Sequence, residues 1–275
     1  MFVPAAVVAS ILAGVAVSGP AAVSGAPLAP PLGYGNANGN LYAMGVAAAA
    51  VVAVLANREQ VRRAAGVLAV LFAGLSILTL SKAAALLAMG ILLIAITAHR
   101  LRRWVVLAAP FVVLATIATT IVLGLTEGRL VTSSVFEEVS ERRTSLWREA
   151  MEISVDEPVF GVGPGMFAQT SPTALANADA RWAHSAYLQI AAEIGVVGAV
   201  LLGLVVLWVF GALFRSRQDV RLIVIGTAAV TALTVHAAID YVAHFAVLVI
   251  VAALLAGLAS SRGVYVCRPG SSDEI

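Results

Sequence analysis

The sequence predicts an all-α, polytopic membrane protein of about eight transmembrane helices, with one long extracytoplasmic loop containing short amphipathic helices. Three observations carry this. Hydrophobic residues make up 61% of the 275 and charged residues 12%, with a mean hydropathy of +0.98, far from the roughly half-apolar, quarter-charged make-up of soluble domains. The apolar residues fall into blocks of about 16 to 25, the length a helix needs to cross roughly 30 Å of hydrocarbon. Short Arg-bearing breaks separate the blocks and mark the membrane surfaces.

The first block, near 4–20, is rich in Ala and Val and is followed by small residues around Ser24, Gly25 and Ala26. A secretory signal has that outline but needs Lys or Arg ahead of its apolar run, and none precedes this one, so it reads as a first membrane helix. A cleaved signal and a chain shortened at its start are the alternatives. The stretch from Ala26 to Asn40 carries Pro27, Pro30, Pro31, Gly33, Gly35 and Gly39 and reads as an interfacial loop without regular helix. Further helices are expected near 41–56, 64–80, 83–98, 104–125, 186–213, 222–239 and 243–260. The chain, 1–275, reads as a single membrane domain, with the loop 126–185 inserted between the fifth and sixth transmembrane helices.

Basic residues set the orientation. Arg58, Arg62, Arg63, Arg100, Arg102, Arg103, Arg215, Arg217, Arg221, Arg262 and Arg268 fall on one side, and Lys82, Arg129, Arg142, Arg143, Arg148 and Arg181 on the other, which is 11 against 6 of the 17. Under the positive-inside rule both termini are cytoplasmic and the 126–185 loop faces outward from the plasma (inner) membrane. Most of the acidic residues lie in that loop, so chemistry is expected there. Within it, Val135 to Val155 places Phe136, Val139, Leu146, Ala150 and Ile153 on one 3.6-residue stripe, the pattern of an amphipathic helix lying along the membrane surface.

A net charge of +2 gives no support to a nucleic-acid partner, and a single cysteine, Cys267, excludes an internal disulfide framework and a multi-cysteine metal site within one chain. His236, Asp240 and His244 are spaced i, i+4, i+8, which on an unbroken helix would suggest a metal site. Tyr241 and its polar neighbours predict a helix break that scatters the three, so a polar bond to the loop is the stronger reading and no metal site is expected.

The loop contains, in order, Arg143-Thr-Ser-Leu-Trp147, then Pro158-Val-Phe-Gly161-Val-Gly163-Pro-Gly165, then Trp182-Ala-His184-Ser-Ala-Tyr187-Leu-Gln189 and Glu193-Ile-Gly195. This order and spacing resemble the O-antigen ligase and polymerase superfamily, whose members carry an Arg and Trp, a Pro-x-x-Gly-x-Gly stretch, a His-Asn-x-x-Leu helix start and Glu-x-Gly. Gly35-Asn36-Ala37-Asn38 and Leu80-Ser81-Lys82 resemble two further segments, and the likeness runs from about Gly33 to Leu258. Lys82 stands where Arg is usual, and Ser185 where Asn is usual. Family members usually have more helices ahead of this region, so the chain corresponds to the C-terminal two-thirds of a typical member.

The resemblance implies glycan transfer, or polymerisation, from an undecaprenyl-diphosphate-linked donor to the hydroxyl of a glycan or glycolipid acceptor at the outer face of the plasma membrane. It implies inversion at the anomeric centre and no cofactor or required metal. His184 is the expected base for the acceptor hydroxyl, since an imidazole with an unperturbed pKa near 6.5 is suited to that task. Arg143 is the expected clamp on the diphosphate, with Arg142 and Lys82 beside it, because guanidinium groups bind and stabilise phosphate charge. Asn38, Tyr187, His236 and Asp240 are the other expected substrate-binding positions. Gly161, Gly163 and Gly165 are expected to shape a turn rather than to hold phosphate, since a Gly-x-Gly by itself is a weak signal. A transporter or flippase, or a non-catalytic membrane partner in cell-surface polysaccharide assembly, is the alternative class. The transporter would call for paired charges or Gly/Pro breaks at the bilayer centre, and the apolar blocks are nearly free of both.

Overall fold

The computed structural model describes residues 1–26, 28–101, 105–126, 137–177 and 180–261, with side chains in 137–156 described from Arg143 onward. Arg102, Arg103, Arg129, Phe136, Arg262, Cys267 and Arg268 lie outside the described residues, as do the side chains of Val139 and Arg142.

Among the described residues, apolar helices fall on each of the eight expected blocks: α1 (Phe2–Ser18), α2 (Gly35–Leu55), α3 (Glu59–Leu78), α4 (Lys82–Thr97), α5 (Val105–Leu125), α9 (Ala186–Phe214), α10 (Val220–Ile239) and α11 (Ala246–Ser260). Among the described residues six segments are long and apolar enough to cross a bilayer, the first being α1 together with the 3₁₀ turn after it; α4 and α11 are shorter, at 16 and 15 residues. Among the described residues between α5 and α9 lie α6 (Glu137–Asp156), α7 (Phe167–Thr170) and α8 (Pro172–Ala176). No strand occurs among the described residues.

The core is built around α2 and α10, whose apolar windows are 83% and 78% buried. Helix α2 packs on α1, α3, α4, α10 and α11, and α10 on α2, α4, α5, α9 and α11. Small residues make this approach possible, as they do generally between helices in lipid. A Cβ on Gly45 would stand 2.9 Å from the Phe72 ring, and one on Gly226 would stand 2.6 Å from the Ala259 Cβ. Outer faces of α3, α5 and α9 remain exposed, with Leu71, Phe111 and Leu204 among their large apolar residues.

The chain enters α2 earlier than its composition predicts. Asn36, Asn38, Gly39 and Asn40 are helical, not part of a loop, although Gly and Asn are weak helix formers. Burial and side-chain bonding override that propensity. Asn38 donates to the carbonyls of Ala29 and Pro30, at 2.8 and 3.1 Å, and accepts from the Leu32 amide, tying the preceding loop onto the helix start.

Helix α6 also differs from its expectation in what it covers. Leu146, Ala150 and Ile153 do form one stripe, but it is buried against Phe167, Ala183, Leu188 and Ala192 of the same chain. The apolar face of α6 is a protein contact, and α6 packs on α5 and α9. At α8, the buried Glu149 carboxylate of α6 accepts from Ser171 and from the Thr173 amide and hydroxyl. This satisfies an N-terminal donor that a helix leaves without an intrahelical partner.

Alternation of the eight helices sorts the described charges between two ends. Arg58, Arg62, Arg63, Arg100, Arg215, Arg217 and Arg221 flank the end where α2, α4 and α9 finish. Lys82, Arg143, Arg148 and Arg181 belong to the opposite end, with α6 to α8 and the loop before α2.

Candidate functional site

At the loop-bearing end, α10 stops at Ile239, and Asp240 follows in an extended conformation before a short 3₁₀ turn over Val242–His244. The break predicted at Tyr241 is therefore present, and it aims the Asp240 side chain back into the protein. Asp240 is 1% exposed. Its Oδ2 accepts from Arg143 Nη2 at 2.9 Å, from the Tyr34 hydroxyl at 3.0 Å and from Asn36 Nδ2 at 2.6 Å. Its Oδ1 accepts from the Tyr241 amide at 2.7 Å and faces His184 Nδ1 at 3.8 Å. Three separate stretches of chain thus converge on the one that carries the carboxylate.

Burial alone would push that carboxyl up. The imidazole of His184, the Arg143 guanidinium and His236 act against it and hold the carboxyl down at about 2. A buried anion surrounded by donors is the arrangement that favours the charged form. For Tyr34 and Tyr241 burial acts first and the Asp240 charge second, and together they raise both phenols, Tyr241 to about 12. Both hydroxyls stay protonated and available as donors at neutral pH.

His184 lies two residues before α9 with a backbone φ of +48°. A non-glycine residue in the left-handed region is uncommon and is maintained only where its surroundings over-determine it. Here Trp147 Nε1 donates to the His184 carbonyl at 3.1 Å, and Ser185 caps α9 by accepting from the Leu188 amide. Asn and Ser serve about equally well at that capping position, so Ser185 preserves the local geometry where the superfamily has Asn. The His184 ring meets the Tyr241 ring edge-on, with centroids 4.9 Å apart. Tyr241 in turn stacks on Tyr34 at 4.6 Å, while Trp182 lies against His244 at 4.2 Å. This aromatic wall, with its partly exposed Trp182 and Tyr241, is not evident from the motifs; the alternation of Trp182 and His184 along the chain was its only signal.

The glycine-bearing motifs pack on each other rather than on the carboxylate. Helix α9 breaks at Gly195, where φ is 69° and ψ is −163°, and the stretch after Pro158 lies in the break. Val162 and Gly163 donate to the carbonyls of Ala192 and Glu193, and Val196 donates to that of Pro158, at 2.8–3.0 Å. A Cβ on Gly161 would fall 2.4 Å from the Glu193 carbonyl carbon, and one on Gly195 would fall 2.3 Å from the Val159 oxygen. The Glu193 carboxylate accepts from the Gly165 and Phe167 amides and from Gln189 Nε2. Two chains of backbone touch here, and a polar side chain locks the contact.

His236, one turn below Asp240 on α10, lies with its Nδ1 2.9 Å from Asn40 Nδ2 on α2. With the Asn36–Asp240 bond this forms two rungs between antiparallel helices, Asn36 and Asn40 on one and Asp240 and His236 on the other. Tyr187 turns away from the carboxylate, its hydroxyl donating to the Thr234 carbonyl at 3.3 Å. Asn38 is buried among the loop carbonyls described above, and Lys82 is exposed at the first residue of α4. The Arg142 side chain lies outside the described residues. His244 is exposed, facing Trp182 rather than His236, and no group of three or more His, Cys, Asp or Glu side chains among the described residues is arranged to hold a metal ion.

Residues 67–203 match the family model described as O-antigen ligase. That match takes in Lys82, Arg143, His184 and Glu193, whereas Asn36, His236 and Asp240 lie beyond it. No curated protein and no solved structure matches the chain.

Proposed function

We propose that the chain, whose residues 67–203 match the O-antigen ligase family model, transfers a glycan from an undecaprenyl-diphosphate-linked donor to an acceptor hydroxyl at the outer face of the plasma membrane. The observation that carries the reading is the convergence of Arg143 and His184 on Asp240.

In the proposed reaction, the acceptor oxygen attacks the anomeric carbon from the face opposite the diphosphate. The new C–O bond forms as the bond to the diphosphate oxygen breaks, so the centre inverts without a covalent sugar–enzyme intermediate. The acceptor proton goes to His184 Nε2, while Nδ1 faces the Asp240 carboxylate. Such a carboxylate fixes the tautomer and stabilises the imidazolium as it forms. The 3.8 Å separation is one that a substrate-filled site can close, since catalytic hydrogen bonds tighten in the reactive complex.

The leaving diphosphate gathers negative charge, which preorganised cations stabilise in a site shielded from water. One Arg143 nitrogen is engaged by Asp240, yet a guanidinium has five N–H donors, and its side chain is 24% exposed. Asp240 therefore aims Arg143 as well as His184. Lys82 and Arg142, at the same end, add positive charge. A glycan or glycolipid supplies the acceptor hydroxyl, and the apolar helices supply the surface along which the polyprenyl tail lies. The reaction needs no metal, because charge on the leaving group is met by side chains.

The test is transfer by purified protein in lipid, using an undecaprenyl-diphosphate oligosaccharide and an acceptor glycan. Wild type is expected to consume the donor and enlarge the acceptor, and His184→Ala to leave the donor intact. Equal donor consumption by the two proteins would remove the mechanism.

A further inference from the structure

Helix α9 is 29 residues long, about 43 Å at 1.5 Å per residue, well over the roughly 30 Å of hydrocarbon it has to cross. Its backbone breaks at Gly195, and the part from Val196 to Phe214 is about 28 Å long, a match to that thickness. The turn filling the break is Pro158-Val159-Phe160, held by the Val196 amide bonding to the Pro158 carbonyl at 2.8 Å. Val159 and Phe160 are 49% and 73% exposed.

We propose that this turn is a membrane foot, with Val159 and Phe160 inserted into the interfacial layer of the bilayer, where they fix both the depth of α9 and the height of the loop above the lipid. Continuity selects lipid as the occupant. The turn abuts α9 where its outer face begins, and that face runs on through Val196, Val200, Leu204 and Trp208, exposed by 54, 54, 57 and 73%. Such a stripe on a spanning helix is covered by acyl chains, and the foot extends it without interruption. Charge agrees with this placement: the exposed Asp156 and Glu157 come immediately before the turn, where the chain leaves the water. Phe is among the apolar side chains that interfacial segments bury at the headgroup–acyl boundary. The inference does not depend on glycan transfer.

Cys267 is the only cysteine, so a Cys267→Ser background accepts single nitroxide labels. Phe160→Cys is labelled in phosphatidylglycerol–phosphatidylethanolamine vesicles, and its power saturation is measured with oxygen, which partitions into lipid, and with a water-soluble nickel chelate. Thr170→Cys, exposed on α7, is the water reference, and Val200→Cys the lipid reference. The foot predicts an oxygen-to-nickel accessibility ratio at 160 several-fold above that at 170 and on the side of 200. Val159→Cys repeats the measurement if Phe160→Cys does not fold. Nickel accessibility like that at 170 would overturn the proposal, placing the turn in water. Low accessibility to both reagents would overturn it too, placing a protein partner there.

Discussion

Arg143 and Asp240, 97 positions apart in the sequence, are joined by a 2.9 Å ion pair whose acidic member is 1% exposed and whose basic member still reaches solvent. The pair is asymmetric in burial, and in the proposed mechanism the carboxylate is the internal anchor while the guanidinium meets the diphosphate.

Asp240→Asn preserves shape while removing the charge that orients Arg143 and His184. Donor consumption is expected to fall by about 100- to 10,000-fold, the range associated with losing a positioned acid–base group, with little change in KM for the acceptor. Steady-state transfer with a fixed donor concentration checks it.

The Asp240 carboxyl also sets an acid limit on stability. Its folded-state value of about 2 lies below the unfolded value near 3.9, so its contribution is complete above about pH 4 and is lost as pH falls towards 2. The difference in unfolding midpoint between wild type and Asp240→Asn should therefore stay constant from pH 8 to 5. It should close only in more acid solution. Thermal unfolding in detergent at stepped pH measures it, and a gap that closes above pH 5 contradicts the assignment.

Trp147→Phe removes the indole donor to the His184 carbonyl while keeping most of the packing. A loss of about 1 kcal/mol is expected from one such hydrogen bond, together with slower transfer, because the left-handed backbone at His184 loses a restraint. Paired measurements of melting temperature and initial rate check this.

The glycines of the loop and of the α9 break should rank by what a methyl group would meet. Gly195→Ala and Gly161→Ala combine positive φ with a Cβ under 2.5 Å from backbone atoms, a cost of about 3 kcal/mol or more. Gly165→Ala has positive φ but open space around it, so about 1–2 kcal/mol is expected. Proteolysis of the loop should become rapid in the first two variants and change little in the third.

Asn40→Ala and His236→Ala remove the lower rung between α2 and α10. A double-mutant cycle on unfolding free energy should give a coupling of about 1 kcal/mol, near the upper part of the range for polar contacts between membrane helices. Purely additive effects would mean that the 2.9 Å contact carries no net energy.

The spans were legible in the sequence because length and apolarity alone decide whether a helix suits a bilayer. The stripe of α6 was legible too, but its partner was not: Leu146 and Ile153 have the same periodicity whether lipid or Leu188 covers them. The motifs single out His184 and Arg143, which the fold brings to Asp240, and Asn38 from the Asn-bearing segment, which it ties to the preceding loop instead. Once that segment is a helix, two positions along it differ by about 200° around the axis, and Asn36 is the one that reaches Asp240. Tyr34 was missed for a related reason. Its bond to Asp240 closes a separation of 206 residues, and no local pattern reports that a chain will fold back over such a distance.

If His184 and Arg143 act together on one lipid-linked donor, a kinetic double-mutant cycle reads their cooperation. Single-turnover transfer is measured for wild type, His184→Ala, Arg143→Ala and the double variant, each checked for an unchanged melting profile. Groups that act as a unit are non-additive, so the double variant should be scarcely slower than the slower single variant. Fully multiplicative losses, or wild-type transfer by either folded single variant, would contradict the account.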